Sequence, residues 1–189
     1  PELKEFTGII IREADRLAGL MNNLLGPLQL PRKDPINVHE VLEHVAALIQ
    51  NEAFDHDLTL VRDYDPSLPI LMLDRDQMIQ AVLNIARNAA QSMERGGELI
   101  LRTRALTNVM LGKERKKLVA SIEVEDNGSG VPEDIQDSLF FPLVSGRVGG
   151  SGLGLPLAQD LVSRHNGLIE FTSKPGRTIF MLRLPVESA

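Results

Sequence analysis

The first regular pattern in the chain is an apolar period of three to four residues that runs through residues 3–25, with charged residues between the apolar positions. This period is typical of an amphipathic helix, and Gly26-Pro27 is a sequence that ends helices. The apolar face is narrow, as in coiled coils and helical bundles, so we expect it to pack against partner helices; packing on its own domain is the alternative. The apolar positions are Phe6, Ile10, Ala14, Leu17, Met21 and Leu24.

Further along, helical and strand periods are mixed. Side chains that favour helix N-termini are Asn37, with Glu40 three positions later, and Asp74. Helices are predicted from Asn37 to about residue 54 and over 75–94, 132–137 and 153–165, and strands over 58–64, 69–73, 98–106, 117–126, 168–173 and 178–185. Because the C-terminal strands are linked as hairpins rather than by helical crossovers, the prediction is an α+β fold and not a doubly wound one.

Two polar stretches interrupt this pattern. Residues 107–116 are interpreted as a long, basic, solvated loop that joins two strands of a hairpin. Residues 30–35, LPRKDP, are interpreted as a linker between a first segment over 1–29 and a domain over 36–189. The chain starts at Pro1, without Met and already within the helical pattern, so we expect it to be part of a longer protein.

Composition narrows the class of protein. Apolar residues make up 43% and charged residues 24% of the 189 residues, which are values of a globular protein. Cysteine is absent, which excludes disulfide scaffolds and thiolate metal sites and permits a reducing compartment, so we expect a cytoplasmic location. The net charge of −6 without a basic patch argues against a nucleic-acid partner, and the apolar runs are shorter than the roughly 18–20 residues that span a bilayer, so no membrane contact is expected.

The first segment with candidate chemistry is EDNGSGVP, residues 125–132, directly after a predicted strand. Gly128 and Gly130 permit a tight turn and a close backbone approach. Asp126 is placed at the strand end, where a carboxylate can accept hydrogen bonds from an exocyclic amine such as that of adenine. The alternative is an ordinary Asx turn, since Asp-Asn-Gly is a common turn sequence.

The second segment is the glycine run that opens a predicted helix. Gly150, Gly152 and Gly154 alternate, and Leu153 lies between the last two. Free N–H groups at a helix N-terminus bind anions, of which phosphate is the natural occupant, although the spacing fits neither a P-loop nor the dinucleotide fingerprint. The alternative is a flexible hinge. Residues 142–150 lack a regular pattern, so they could form a lid over a ligand.

The third segment is NIARNAAQSM, residues 84–93. Asn84 and Asn88 are four residues apart and share one face of a predicted helix, with Arg87 beside them. A carboxamide oxygen is a suitable ligand for Mg²⁺ bound to phosphate, and Arg87 could neutralise phosphate charge. The alternative is that all three side chains face water.

The order and spacing of the three segments resemble the ATP-binding (GHKL-type) domain shared by sensor histidine kinases, gyrase-type ATPases and related chaperone and mismatch-repair ATPases. In that family they are the N box and the two glycine boxes. LFFPLVSG, residues 139–146, resembles the F box of histidine kinases, and residues 176–180 resemble the closing strand. The resemblance covers residues 36–186 and implies a two-layer α/β sandwich of the Bergerat type, with a mixed sheet of about five strands and three helices on one face, preceded by one long helix.

The resemblance also implies roles for single residues. Asp126 would hold the adenine amine, helped by Thr178 through water, and Asn88 would bind Mg²⁺. The ATP-binding residues that it implies are Asn84, Asn88, Asp126, Gly128, Gly130, Val131, Gly150, Ser151, Gly152, Leu153, Gly154 and Thr178, and the catalytic ones are Asn84, Arg87 and Arg147. A lysine that often follows the metal-binding Asn in this family is Gln91 here, which gives more weight to Arg87 and Arg147.

Position 84 distinguishes the branches of the family. The ATP hydrolases carry a Glu there as general base for water, and an amide cannot take a proton from water at neutral pH. Transfer of a phosphoryl group to an imidazole requires mainly positioning and charge neutralisation. QAVLNIARNAAQSM, PLVSGRVGGSGLGL and FTSKPGRTIF are most similar to the nitrogen-regulation (NtrB-type) sensor kinases.

In those kinases a two-helix dimerisation hairpin carries the phosphoacceptor His on its first helix, and residues 1–29 resemble the second helix. None of the four histidines (39, 44, 56 and 165) has the phosphoacceptor motif, and each is interpreted as a surface or capping residue. The implied partners are the hairpin of the same protein, in a homodimer, and a response regulator, with a small signal-transduction protein as an additional one.

Two other functions stay open at this point. One is an ATPase switch of the gyrase or mismatch-repair class, which the Asn at position 84 disfavours. The other is a nucleotide-gated interaction module without catalysis.

Overall fold

The structure is a computed structural model that describes residues 30–52, 57–93, 96–145 and 152–186. The chain divides into two units, Pro1–Leu30 and Pro31–Ala189, and all the helices and strands of the described residues belong to the second. The helix predicted over residues 3–25 lies outside the described residues.

The described residues form seven strands and four helices, at positions close to the predicted ones. In chain order they are β1 (Asp34–Ile36), α1 (Val38–Glu52), β2 (Thr59–Asp63), β3 (Leu71–Leu73), α2 (Arg75–Ser92), β4 (Glu98–Leu111), β5 (Glu114–Asp126), α3 (Glu133–Gln136), α4 (Gly154–Ser163), β6 (Leu168–Lys174) and β7 (Arg177–Pro185).

Five strands form one mixed sheet in the order β2-β4-β5-β7-β6. β2 and β4 are parallel, and the other pairs are antiparallel. The buried side chains of α1, α2 and α4 join those of β4, β5 and β7 in one apolar core. The predicted α+β fold, a mixed five-stranded sheet covered by three helices, is confirmed.

Helix α2 is central because it packs against α1, α4 and the sheet. Its N-cap is Asp74, whose carboxylate accepts from the Gln77 N–H at 3.1 Å. Its buried apolar positions recur every three to four residues, as an amphipathic helix requires. The polar face of α2 is thereby fixed relative to the sheet, and this face carries the N-box carboxamides.

Two predictions of local structure were wrong. The linker over 30–35 is not wholly irregular, because Asp34–Ile36 form β1, which pairs antiparallel with β3 in a separate two-stranded sheet. The segment 107–116 is not a loop, because β4 and β5 remain paired up to Leu111 opposite Glu114, with only a two-residue turn between them. Backbone pairing extends the ribbon there, although the apolar alternation has faded.

His165 joins the end of α4 to the start of α2. It is buried, its Nδ1–H donates to the Leu161 carbonyl at 2.8 Å, and its Nε2 accepts the Asp74 backbone N–H at 3.0 Å. Burial lowers the pKa of His165, so the ring is held neutral. The sequence interpretation as a surface or capping residue missed this burial; the residue connects the two helices that line the site described below.

Candidate functional site

A cleft of about 670 Å³ lies between the polar face of α2, the turn after β5 and the start of α4. It brings all three predicted segments together. The predicted site residues that line it are Asn84, Arg87, Asn88, Asp126, Gly130, Val131, Gly152, Gly154 and Thr178.

The other predicted site residues fall into two groups. Gly128 and Leu153 belong to the turn and to the N-cap of α4 beside the cleft, but within the described residues they are not part of its lining. Gly150, Ser151 and Arg147 lie outside the described residues, so their assignments stay predictions.

Asp126 ends β5 at the floor of the cleft. It is buried, and its Oδ1 accepts from the Ser92 hydroxyl at 2.8 Å and from the Gly128 N–H at 2.9 Å. Strand pairing places it opposite Thr178 on β7, which is also buried. A carboxylate that is fixed in this way at the wall of a cleft can accept a hydrogen bond from a ligand amine.

The glycines after Asp126 are required by close backbone approach. A Cβ atom on Gly128 would lie 2.6 Å from the Ser92 carbonyl oxygen, and Gly130 has a φ of +83° with the Lys174 carbonyl group beside it. The turn is tied to its neighbours, because the Ser129 N–H donates to the Ser92 carbonyl at 3.2 Å. Asp126 therefore forms the Asx turn that was the alternative interpretation, because it accepts from the backbone N–H two residues on, and it also lines the cleft.

A second set of hydrogen bonds lies behind Thr178. The Val131 N–H donates to Ser173 Oγ at 2.8 Å, and Ser173 Oγ lies 2.8 Å from Thr178 Oγ1. Since Val131 and Thr178 both line the cleft, Ser173 connects two of its walls.

Asn84 supplies a free donor to the cleft. Its Nδ2 is buried and has no hydrogen-bond partner within the part of the chain that the structure describes. Its side chain faces Gly154 at the N-terminus of α4, where an added Cβ would lie 3.8 Å from the Asn84 Cβ. A buried N–H group without an acceptor is costly, so a ligand with acceptor oxygens, such as a phosphate, would satisfy it.

Arg87 is paired rather than free. Its Nε donates to Glu52 Oε2 at 2.9 Å, and its Nη2 donates to the other carboxylate oxygen of Glu52, on α1. The hydrogen bonds from Arg87 lower the pKa of Glu52, and those to Glu52 raise the pKa of Arg87. About half of each side chain is exposed, so the pair is held weakly enough for a phosphate to compete for the guanidinium.

The F-box segment borders the cleft on the side of α4. Leu139 lines the cleft, and Phe140 packs edge-on against Phe171 and Phe180 at 6.0 Å and 6.5 Å between ring centroids. Gly152 has a φ of +64° and its carbonyl accepts from the Leu143 N–H at 3.0 Å. Leu143, in the described part of the predicted lid, therefore contacts Gly152 beside the cleft.

A model of the family described as histidine kinase-, DNA gyrase B- and HSP90-like ATPase matches residues 73–188 of the chain. The matched residues run from the last residue of β3 to β7 and include every residue that lines the cleft.

The chain belongs to this family. Curated relatives named sensory histidine kinase/phosphatase NtrB include those of Shigella flexneri (52% identical, 98% of this chain and 53% of the relative), Vibrio alginolyticus (46%; 98% and 53%) and Azospirillum brasilense (40%; 95% and 46%). The chain thus spans about half the length of the curated relatives it matches. Within the family, it is an ATP-binding domain of the NtrB-type sensor histidine kinases.

Solved structures give the same fold at low sequence identity. The full-length histidine kinase ShkA in complex with AMPPNP superposes with a TM-score of 0.81 at 23% identity, over 100% of this chain and 40% of that one. The histidine kinase ThkA in complex with the response regulator protein TrrA gives a TM-score of 0.75 at 18% identity, over 98% of this chain and 52% of that one.

Sequence reasoning missed three residues of this histidine kinase-type site. Ser92 could have been found, because it continues the four-residue spacing of Asn84 and Asn88 on α2. Glu52 and Ser173 carry no such signal: the first meets Arg87 from another helix, and the second meets Thr178 only through strand pairing.

The described residues contain no cluster of three or more His, Cys, Asp or Glu side chains that could hold a metal ion. The side-chain oxygens that the cleft could offer to a Mg²⁺ ion bound to ligand phosphates include the carboxamide oxygens of Asn84 and Asn88. In the described part of the chain, no helix combines the length and the apolar character needed to cross a membrane.

Proposed function

We propose that this chain binds Mg-ATP in the cleft and transfers the γ-phosphoryl group to a histidine on the dimerisation hairpin of its own protein. The observation that carries the proposal is the convergence on one cleft of a fixed carboxylate, Asp126, and an amide donor, Asn84, that has no acceptor within the described part of the chain. These are the opposite hydrogen-bonding characters that an adenine amine and a phosphate require.

The base would lie at the floor of the cleft. Asp126 would accept a hydrogen bond from the adenine amine, Thr178 would assist directly or through water, and Val131 would pack on the ring. Gly128 and Gly130 would let the turn beneath the base pack closely on Ser92 and Lys174, where a Cβ atom would collide.

The triphosphate would lie between α2 and α4. Asn84 would donate to a phosphate oxygen, Asn88 would bind Mg²⁺ through its carboxamide oxygen, and the N–H groups near Gly152 and Gly154 would face the phosphates. When bound, Mg²⁺ neutralises phosphate charge. Arg87 would join only after it exchanges its Glu52 contact for a phosphate oxygen. The predicted contacts Gly150, Ser151, Leu153 and Arg147 belong to the same proposal.

Phosphoryl transfer would require little of the chain beyond positioning the γ-phosphate and the histidine. The bond from the γ-phosphorus to its bridging oxygen breaks, a bond to the histidine nitrogen forms, and ADP leaves. The phosphoryl group would then pass to an Asp of a response regulator. Residues 1–29 would be the second helix of the hairpin, a small signal-transduction protein would be a further partner, and the location would be cytoplasmic.

Nucleotide binding by two variants tests the site. Asp126→Asn removes the negative charge of the group that accepts from the amine and replaces one of its oxygens with an NH2 donor, and Asn88→Ala removes the metal ligand. We expect each to weaken Mg-ATP binding at least tenfold, roughly the loss of one charge-assisted contact. Isothermal titration with ATP in the presence and absence of Mg²⁺ is the measurement.

The matched controls are Asp137→Asn and Gln50→Ala, which change exposed side chains of the same chemistry away from the cleft. Unchanged affinity in both site variants would refute the proposed roles. Steady ATP hydrolysis by the chain alone would instead favour the ATPase-switch alternative.

A further inference from the structure

Three polar side chains lie in one row across neighbouring strands at the floor of the cleft. Asp126 on β5 is the register partner of Thr178 on β7, and Thr178 is the register partner of Ser173 on β6. Asp126 and Thr178 line the cleft, whereas Ser173 lies behind Thr178 and is outside the described lining. Any influence of Ser173 on a ligand therefore acts through Thr178 or through Val131, and only Thr178 meets Ser173 with a hydroxyl group.

The number of hydrogen bonds that Ser173 can make limits which of the two hydroxyl groups, Ser173 or Thr178, is the donor between them. A hydroxyl group has one hydrogen to donate and two lone pairs that accept. Ser173 Oγ already accepts the Val131 N–H, at 2.8 Å. If Ser173 also accepted from Thr178, its own hydrogen would have no acceptor among the described residues and could donate only to water, since Ser173 is half-buried. If Ser173 donates to Thr178, that hydrogen is used and the Thr178 hydrogen is left for a ligand in the cleft.

We propose that Ser173 is a positioning residue that fixes Thr178 as a hydrogen-bond donor towards the bound base. The inference rests on the proposed function, because it requires a nucleotide in this cleft. Asp126 is an acceptor and Thr178 becomes a donor beside it, which matches the amine and the ring nitrogen N1 of adenine. Guanine and hypoxanthine present the opposite pair, a carbonyl oxygen and an N1–H group, and are disfavoured at both positions.

This pairing makes Ser173 a determinant of base specificity and not only of stability. Without the hydrogen bond from Ser173, the Thr178 hydroxyl can rotate and present a lone pair to the base as easily as a hydrogen. Discrimination at N1 then falls, while discrimination at the amine, which depends on Asp126, remains. A merely structural role of Ser173 would weaken the binding of all nucleotides by the same factor.

The test compares ATP with 1-deaza-ATP, which keeps the amine and lacks the N1 acceptor, and with GTP. Dissociation constants are measured for the wild-type chain and for Ser173→Ala, Ser173→Cys and Ser173→Thr. Ser163→Ala is the control, because the Ser163 hydroxyl is exposed and donates only to the Asp160 carbonyl among its described contacts. Thermal unfolding without nucleotide reports whether each variant is folded.

We expect the wild type to prefer ATP over 1-deaza-ATP by about tenfold, the range of one hydrogen bond. The preference should fall to about twofold in Ser173→Ala and in Ser173→Cys, a weak donor, and should persist in Ser173→Thr and in Ser163→Ala. The preference for ATP over GTP should decrease without disappearing in Ser173→Ala.

An unchanged ratio of ATP to 1-deaza-ATP in folded Ser173→Ala, with ATP bound by the wild type, overturns the inference and leaves the proposed function standing. If Ser173→Ala does not fold, the ratio in Ser173→Cys decides in the same way. A wild-type chain that binds no ATP overturns both.

Discussion

At the scale of single residues, the cleft combines a carboxylate that the protein holds in place with an amide donor that has no acceptor among the described residues. Asp126 is held by Ser92 and Gly128, whereas the Asn84 amide nitrogen has no partner within the described residues. Fixed groups lose little entropy when a ligand binds, and an unsatisfied donor gains a partner. Asn84, whose buried amide costs stability without a ligand, thus favours ligand binding.

Gly128→Ala tests the role of the turn that follows Asp126. The new Cβ would collide with the backbone of Ser92, so the turn after Asp126 must shift. We expect a loss of about 1–3 kcal/mol in the free energy of unfolding and a loss of ATP binding. Urea denaturation and nucleotide titration measure the two effects.

Gly112→Ala is its control, because Gly112 has open space around it and a φ of +62° at the hairpin turn. It should cost about 1–2 kcal/mol of stability from backbone strain and leave ATP affinity intact. Equal ATP affinity in Gly128→Ala and Gly112→Ala would contradict the role of the turn.

At the scale of elements, two contacts between helices adjust the site. Glu52 on α1 holds Arg87 on α2, and His165 at the end of α4 accepts the N–H at the N-cap of α2. Both contacts join residues far apart in the chain, and each gives a measurable response.

Glu52→Gln should increase ATP affinity. The change removes a negative charge beside the phosphates and releases Arg87, so we expect a gain of about threefold at low salt and a smaller gain at high salt. Titration at two salt concentrations measures it. With Arg87→Met in both chains, Glu52→Gln should give a smaller gain, because only the loss of negative charge remains; an equal gain with and without Arg87 would show that Arg87 does not contact the nucleotide.

Folding stability should decrease as the pH falls below about 6.5. His165 has a lowered pKa in the folded chain because it is buried, with Lys33 lowering it and Asp74 raising it, while the unfolded chain takes up a proton near the ordinary value of 6.5. The contribution of His165 is complete above that value and is lost progressively below it, by at most about 1.4 kcal/mol per pH unit.

Urea denaturation at pH 7.5 and pH 5.5 tests this, with His165→Gln as the comparison. The wild type should lose more stability than the variant between the two values. The same loss in both would exclude His165 as the titrating group.

The sequence predicted elements well where burial repeats. The apolar positions of α2 recur every three or four residues, and this period with the Asp74 cap predicted a helix over 75–94, close to the observed Arg75–Ser92. The far part of the β4–β5 ribbon, within residues 107–116, and β1 escaped prediction because backbone pairing, not a buried face, holds them. The Arg87–Glu52 and Ser173–Thr178 contacts escaped for a related reason, since both depend on how distant elements pack.

At the scale of the whole molecule, the charges on the two sides of the sheet differ in their partners. On the face away from the helices, Arg102 bridges Asp63 and Glu125 at 2.8 Å and 2.9 Å, so charges there are compensated within the protein. The cleft on the helix side keeps a donor and an acceptor directed at a ligand. The glycine and Asn segments predicted this cleft because their order along the chain is specific, although each segment alone had an ordinary explanation.

The measurement that tests the account most directly is label transfer from γ-labelled ATP to a separately supplied hairpin that carries the phosphoacceptor histidine. We expect Mg²⁺-dependent labelling of the hairpin by the chain, absent when the hairpin histidine is replaced and strongly reduced in Asp126→Asn at ATP concentrations below saturation. An unlabelled hairpin in the presence of a chain that binds ATP, or unchanged labelling by Asp126→Asn at low ATP, would contradict the proposed function.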